Sequence, residues 1–438
     1  MRNPKLTRLL MGILVAFALL ALMLAVYYLP PVHERLAWRV SSLRAKVFYF
    51  FNPPGKVIFS PGQQEEMDAT VSMTLTAMPS SLTPTREPSL APTVLMTPTS
   101  TETLIPTITP TAIPDSVTLQ GVRHEYQKMN NCGPVTLAMA LSYWGWSGDQ
   151  DTTRPWLRPH PDDRNITPEE MAAAVKIHTD LDALVRSGGD THILKQFIAA
   201  GFPVIIERDM GDVRPNEDWT GHYGVITGYD DSRERFILQD SFIMADYPLA
   251  YADHYRYWRA FNHIYVVIFP PERELEVLSI LGAHADAHFN HQRAEEIAQD
   301  AINELEGRDL FFAWFNLGTS RVNLGDYFAA AQAYDHAYHV VYPTIPSAAR
   351  PWRMTWYQTG PYEAYYYTGR YQDVIDLATF TIVNTGVQEI EETWLWRGRA
   401  RLALDDTAGA IEDFRTALKY HPGWDAALTE LDKLGVSP

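Results

Sequence analysis

Cysteine is nearly missing from this chain. Cys132 is the single one in 438 residues, so no intramolecular disulfide can form and no thiolate cluster can hold zinc. Basic residues are also in short supply. Lys and Arg number 36 against 53 Asp and Glu, a formal net charge of -17, and nowhere do the cations gather into the patch that phosphate recognition requires. A nucleic-acid partner is therefore not expected. A single hydrophobic core cannot absorb a chain of this length, so two or three modules with connecting segments are expected.

Between residues 61 and 116 lysine is absent and large apolar residues are sparse, while Thr, Pro and Ser dominate, as in "LTPTREPSLAPTVLMTPTSTETLIPTITPTAIP". This composition reads as a disordered linker; as a flexible coil it spans roughly 40 Å, and as extended polyproline II up to roughly 170 Å. Ahead of it, Leu9 to Leu29 is an almost unbroken apolar run of 21 residues, enough for a helix crossing a hydrocarbon layer of roughly 30 Å. The run ends in Tyr27, Tyr28, Leu29 and Pro30 rather than small residues, which favours a retained anchor over a cleaved signal. Residues 1–30 are thus read as an N-terminal transmembrane helix, and 31–60 as a juxtamembrane segment, either an interfacial helix or an ordinary amphipathic stretch. Charges flank both ends of the apolar run and leave its orientation open. The Thr/Pro tether resembles those of bacterial surface proteins, which implies a single-pass protein of the cell membrane with its catalytic part extracytoplasmic.

Structured sequence resumes at Val117. In "QKMNNCGPVTLAMALSYWG", Pro134 suits a first helical turn, and Leu137, Ala138, Leu141 and Trp144 recur at helical spacing. Cys132 is thereby placed at a helix N-terminus, where the dipole favours a thiolate. Gln127, five residues earlier, is placed to share an oxyanion hole with the Cys132 backbone N–H. "GFPVIIERD" reads as a buried strand, and "GHYGVITGYDDSRERFILQDSF" as two strands joined by a charged turn. His222 opens the first of these and Asp240 closes the second, so an antiparallel pairing brings them together as base and orienting carboxylate. In "ITPEEM", Thr167, Pro168 and Glu170 read as a capping box with proline at the first helical position. Trp219, just before the histidine, either lines a substrate cleft or packs its loop. His124, His160 and His178 are taken as surface residues.

The order Gln, Cys, His, Asp, with "QKMNNCGP", "GHYGVITGYD" and "LQDS", resembles the bacteriocin-processing double-glycine peptidase family. That resemblance implies an α+β papain-like fold over 117–271, with Cys132 as nucleophile, His222 as general base and then acid, Asp240 as its orienter and Gln127 as oxyanion donor. It also implies a peptide or protein substrate and no cofactor. The transporter members of that family carry a phosphate-binding loop, and no "GxxxxGK[ST]" occurs here, so a Gly-Gly leader peptide does not follow as the substrate. A catalytically silent binding module in an envelope scaffold, and acyl transfer through the same thioester, stay open beside hydrolysis.

From 272 to 438 the pattern is helical. Trp314, Leu317, Gly318, Gly325, Tyr327, Ala330, Tyr334, Ala337 and Pro343 recur as Trp394, Gly398, Ala410, Phe414, Ala417 and Pro422, with a poorer copy around Gly369 and Tyr371. Leu278, Leu281, Gly282, Ala294, Ala298 and Ala301 suggest a first copy. The spacing resembles tetratricopeptide repeats, which implies an all-α solenoid of about four helix pairs and a protein partner on its concave face. His284, His288 and His291 share helical spacing but lack an acidic partner, and no metal site is read from the sequence.

Overall fold

The computed structural model describes residues 113–160, 166–211, 219–385 and 388–438, together with Asp163 and scattered positions between 11 and 62. Among the described residues no helix is long and apolar enough to cross a membrane. The expected anchor at 1–30, the segment 31–60 and the linker lie largely outside them. Phe59 is an exception and is buried edge-on against Tyr338, with ring centroids 5.5 Å apart.

Among the described residues seven antiparallel strands form one sheet. In chain order they are β1 (Ser116–Thr118), β2 (Asp182–Arg186), β3 (Val204–Asp209), β4 (Gly221–Asp230), β5 (Arg235–Asp240), β6 (Met244–Ala250) and β7 (Tyr265–Phe269). Their spatial order is β2-β7-β3-β4-β5-β6, with β1 added to β4 beside a register shift between Ile226 and Gly228. Gly228 is required there, since a Cβ on it would meet the Val117 carbonyl oxygen at 2.7 Å.

Both faces are covered, and the two-residue period of the strands shows how. Ile205, Val225, Val266 and Ile268 face α1 (Cys132–Tyr143) and α3 (Pro168–His178), while Val204, Ile206, Ile226, Val267 and Phe269 face the other way. There they meet α4 (Thr191–Ala199), α5 (Tyr251–Trp258) and α6 (Glu274–Leu281). Helix α2 (Gln150–Leu157) joins α1 to α3. Residues 133–141 of α1 are all buried, so the cysteine leads into the central helix of that layer. Helix α3 begins as expected: the Thr167 side chain accepts from Glu170 N, and the Glu170 side chain caps the Thr167 N–H in return. An antiparallel sheet with helices on both faces fits the papain-like expectation.

The C-terminal part is helical, running through α7 (Ala287–Ile302), α8 (Gly307–Asn323), α9 (Tyr327–Asp335), α10 (Met354–Tyr357), α11 (Gly360–Tyr367), α12 (Tyr371–Thr385), α13 (Glu391–Ala403), α14 (Thr407–Tyr420) and α15 (Asp425–Lys433). Two of its helix pairs repeat one another in detail. Gly318 on α8 lies against the Tyr334 ring and Gly398 on α13 against Phe414, closer than any Cβ would allow. Asp326 caps Ala329 N and Asp406 caps Gly409 N; Arg321 Nη1 reaches the Ala329 carbonyl and Arg401 Nη1 that of Gly409.

The helical part is not hung loosely on the sheet module. Trp219, Ala260 and Phe261 share one core with Phe311, Phe312, Phe315 and Tyr334. Buried polar groups cross the same seam: Asn262 Nδ2 donates to Ser320 Oγ at 3.0 Å, and Asn290 pairs with both backbone groups of Ser187 at 2.8 and 3.0 Å.

Candidate active site

Cys132 is the first residue of α1 and follows Asn130, which holds the left-handed conformation at φ 53°. Gly133 packs where a Cβ would meet Ile166 Cδ1 at 2.7 Å, so the helix start is drawn tightly onto the loop before α3. The thiol faces the sheet, within hydrogen-bond reach of the His222 ring and of the Tyr223 backbone N–H.

His222 and Asp240 meet as the hairpin reading required. His222 Nε2 lies 3.1 Å from Asp240 Oδ1, with both side chains buried. With Nε2 engaged, Nδ1 is the nitrogen left for Cys132. The carboxylate is heavily held: Oδ1 also accepts from the N–H groups of Phe242 and Ile243 at 2.9 and 3.0 Å, and Oδ2 from Arg208 Nη2 at 3.1 Å. Arg208 stands directly opposite His222 in the β3–β4 register, which brings its guanidinium to this face of the sheet.

The electrostatics follow from these contacts. Burial alone would push the thiol up, but the His222 hydrogen bond and charge outweigh it, with help from the Tyr223 N–H and Arg158, and the net shift is downward. Burial alone would lower His222; the Asp240 charge and hydrogen bond and the Cys132 partner override it and raise the imidazole to about 9. Burial opposes ionisation of Asp240 as well, yet His222, Arg208 and the Ile243 N–H hold it well below the usual carboxylate range. The two shifts together favour the thiolate–imidazolium pair over the neutral one.

Gln127 sits across from the helix start. Its backbone N–H donates to the Ser241 carbonyl at 3.0 Å, and its Oε1 accepts from Ser241 Oγ at 3.0 Å. Because the amide oxygen is committed to Ser241, Nε2 is the end left to donate.

The family comparison can now be set beside this geometry. Residues 119–266 match the Peptidase_C39 like family. That stretch contains Gln127, Cys132, His222 and Asp240, and the match points to a peptidase. Solved structures similar to the chain include a protein described as a C39-like peptidase from Bacillus anthracis, at 16% identity, covering 35% of this chain and 96% of that one with a TM-score of 0.29. Another is a double glycine motif protease from an AMS/PCAT transporter in complex with the leader peptide, at 17% identity, covering 35% and 98% with a TM-score of 0.26. No curated protein matches the chain.

Trp219 is 4% exposed, stacked on Phe261 with centroids 5.6 Å apart and packed against Phe312 and Tyr357. His124, taken as a surface residue, is half-buried, with Nε2 3.1 Å from the Asp240 carbonyl.

Sequence reasoning missed four residues around the site. Arg208 and Ser241 hold Asp240 and Gln127. Glu207, opposite Tyr223 in the register, is buried near the thiol; burial, together with the charge on Cys132, pushes its carboxyl well above the usual range. Tyr357, from the helical part, receives the Gly221 backbone N–H and is near enough to Cys132 to feel its charge; burial raises it to about 12. The alternation of β3 was a usable signal for Arg208, whereas nothing local marked Tyr357.

Proposed function

We propose that this chain is a cysteine peptidase that hydrolyses peptide bonds through Cys132, His222 and Asp240. The alignment of thiol, imidazole and a carboxylate 3.1 Å from the ring carries this reading. The Cys132 thiolate attacks the scissile carbonyl carbon, and the developing oxyanion takes hydrogen bonds from Gln127 Nε2 and the Cys132 N–H. Imidazolium His222 gives its Nδ1 proton to the leaving amine, leaving a thioester. Neutral His222 then takes a proton from water as the hydroxide attacks that thioester, and collapse expels the Cys132 thiolate and releases the acid, leaving His222 protonated as at the start. Asp240, fixed by Arg208 and two backbone N–H groups, keeps Nε2–H directed away from the reacting atoms.

The helical part we read as tetratricopeptide-like repeats, supported by the duplicated glycine seats and caps, with a protein substrate or partner as its ligand. Tyr357 makes it a wall of the site as well as a recruiting surface. The apolar run at 9–29 and the Thr/Pro tether are read as a membrane anchor presenting this unit outside the cytoplasm. The test is cleavage of a fluorogenic peptide library by the full chain and by its Cys132→Ala variant. Turnover that survives the substitution overturns the mechanism.

A further inference from the structure

Away from the thiol, three metal-ligating side chains from distant parts of the chain converge. Asp163 lies between α2 and α3, Glu391 opens α13 and His421 follows α14; one donor atom from each falls within 4.8 Å of the others. Both carboxylates are buried. Glu391 Oε1 is 3.1 Å from His421 Nδ1, while Glu391 Oε2 is buried and makes no hydrogen bond among the described residues. His421 is held in place by stacking on Trp424, with centroids 5.5 Å apart and planes at 23°. A third carboxyl, Glu170, acts electrostatically on both Glu391 and His421, although its Oε2 is committed to Thr167 in the capping box.

Three carboxyl groups thus crowd a place where water screens charge poorly. Arg158 lies close enough for its charge to act on Asp163 and Glu391, with its Nε donating to the Asp163 backbone carbonyl at 2.7 Å and its Nη1 to the Asn130 carbonyl at 2.6 Å. A buried carboxyl group with one oxygen on an imidazole, the other without a donor among the described residues, and a second carboxyl within 4.8 Å is an arrangement a cation completes.

We propose that Asp163, Glu391 and His421 bind a zinc ion that fastens the helical part to the sheet module. One imidazole with two carboxylates selects a transition-metal dication over calcium or magnesium, which take oxygen donors alone. Ligand atoms around a tetrahedral zinc lie roughly 3.3 Å apart, so donors up to 4.8 Å apart close by up to about 1.5 Å through side-chain torsions at Glu391 and His421, and water supplies the fourth position. Asp163 belongs to the sheet module and the other two to the helices, so the ion spans the seam. Arg158 extends the contact toward Asn130 and Asn131, immediately before the nucleophile. The sequence offered no sign of this site, because Asp163 lies more than two hundred residues before the other two donors and the three share no motif.

The site is independent of the peptidase reading, and its test avoids catalysis. The full chain carrying Cys132→Ala, so that no thiolate competes for the metal, is stripped with EDTA and titrated with zinc chloride by calorimetry and thermal melting. The expected result is one equivalent bound and a Tm increase of roughly 5 °C at a hundredfold excess over Kd, reversed by EDTA. Adding Glu391→Gln, which keeps shape and removes charge, weakens binding by at least about tenfold and cuts the shift at the same zinc concentration to about half or less. His421→Ala, at a partly exposed position, does the same, so the test does not hang on the folding of one variant. A chain that takes up no stoichiometric zinc, or variants that bind it as tightly as their parent, overturn the proposal.

Discussion

Two histidine environments within the same module shift the imidazole in opposite directions. His222 and His254 are both fully buried, and burial pushes each imidazole toward neutrality. For His254 nothing opposes it. Its ring nitrogens make no hydrogen bond among the described residues, it packs against Phe236 and Trp258, and the charge of Arg208 lowers it further. The same arginine supports the opposite outcome at His222 by holding Asp240, whose charge overrides burial. Burial therefore does not mark a working histidine; a shift against burial does, because a dedicated partner must be built to produce it.

The largest expected effect breaks the functional side of this contrast. Cys132→Ala lowers peptide turnover by on the order of 10⁴-fold or more, with the fold retained because an alanine suits a helix start. Asp240→Asn sharpens it by converting His222 toward the state of His254. The imidazole loses the charge that raises it, the thiolate fraction falls, and kcat/KM drops by roughly 10²–10⁴-fold. In NMR titrations the His222 resonance then no longer titrates near 9. A variant that keeps both the titration and the rate refutes the assigned partner.

How much of this contrast the sequence exposed depends on whether the information was local. Cys132 was placed at a helix start by Pro134 and the apolar spacing after it, and His222 was brought to Asp240 because a hairpin sets the start of one strand beside the end of the next. The Thr167–Glu170 capping box lies within four residues and was equally readable. Arg208 needed the β3–β4 register, which pairs it with His222. Tyr357 and the burial of Trp219 needed the docking of helices that begin beyond residue 271, and no periodicity encodes a docking. The helical period itself was legible, but it did not say which faces meet the sheet module.

Gln127→Ala removes one oxyanion donor and leaves the His222 and Asp240 charges untouched. The expected loss is roughly 10²–10³-fold in kcat with an unchanged pH profile, which separates it from Asp240→Asn. The silent histidines give a smaller effect, read in stability. Burial holds His263 down at about 3 in the folded state, below its unfolded value of roughly 6.5. As pH falls from about 6.5 toward 3 the unfolded chain takes up a proton the folded one refuses, so stability is complete above this window and lost within it. The slope is about 1.4 kcal/mol per pH unit for each such histidine. Replacing His254 by Phe, which preserves ring packing, should remove one such increment from the acid limb of a urea-denaturation series. An unchanged limb means that His254 already carries a proton.

The smallest effect concerns Ser241, which touches none of the reacting atoms. Two bonds tie it to Gln127: the backbone bond places the residue, and the hydroxyl fixes which end of the amide points at the oxyanion. Ser241→Ala removes only the second. The amide stays in place but loses the contact that selects its orientation, worth about 0.5–1.5 kcal/mol, so kcat falls by roughly threefold to tenfold while KM and Tm hold. Ser241→Thr keeps a hydroxyl in reach and restores the rate. If alanine and threonine behave alike, the orientation of Gln127 is set by its backbone bond alone and Ser241 has no positioning role. If alanine lowers Tm along with kcat, the residue serves packing, and the oxyanion donor is held by something other than the hydroxyl.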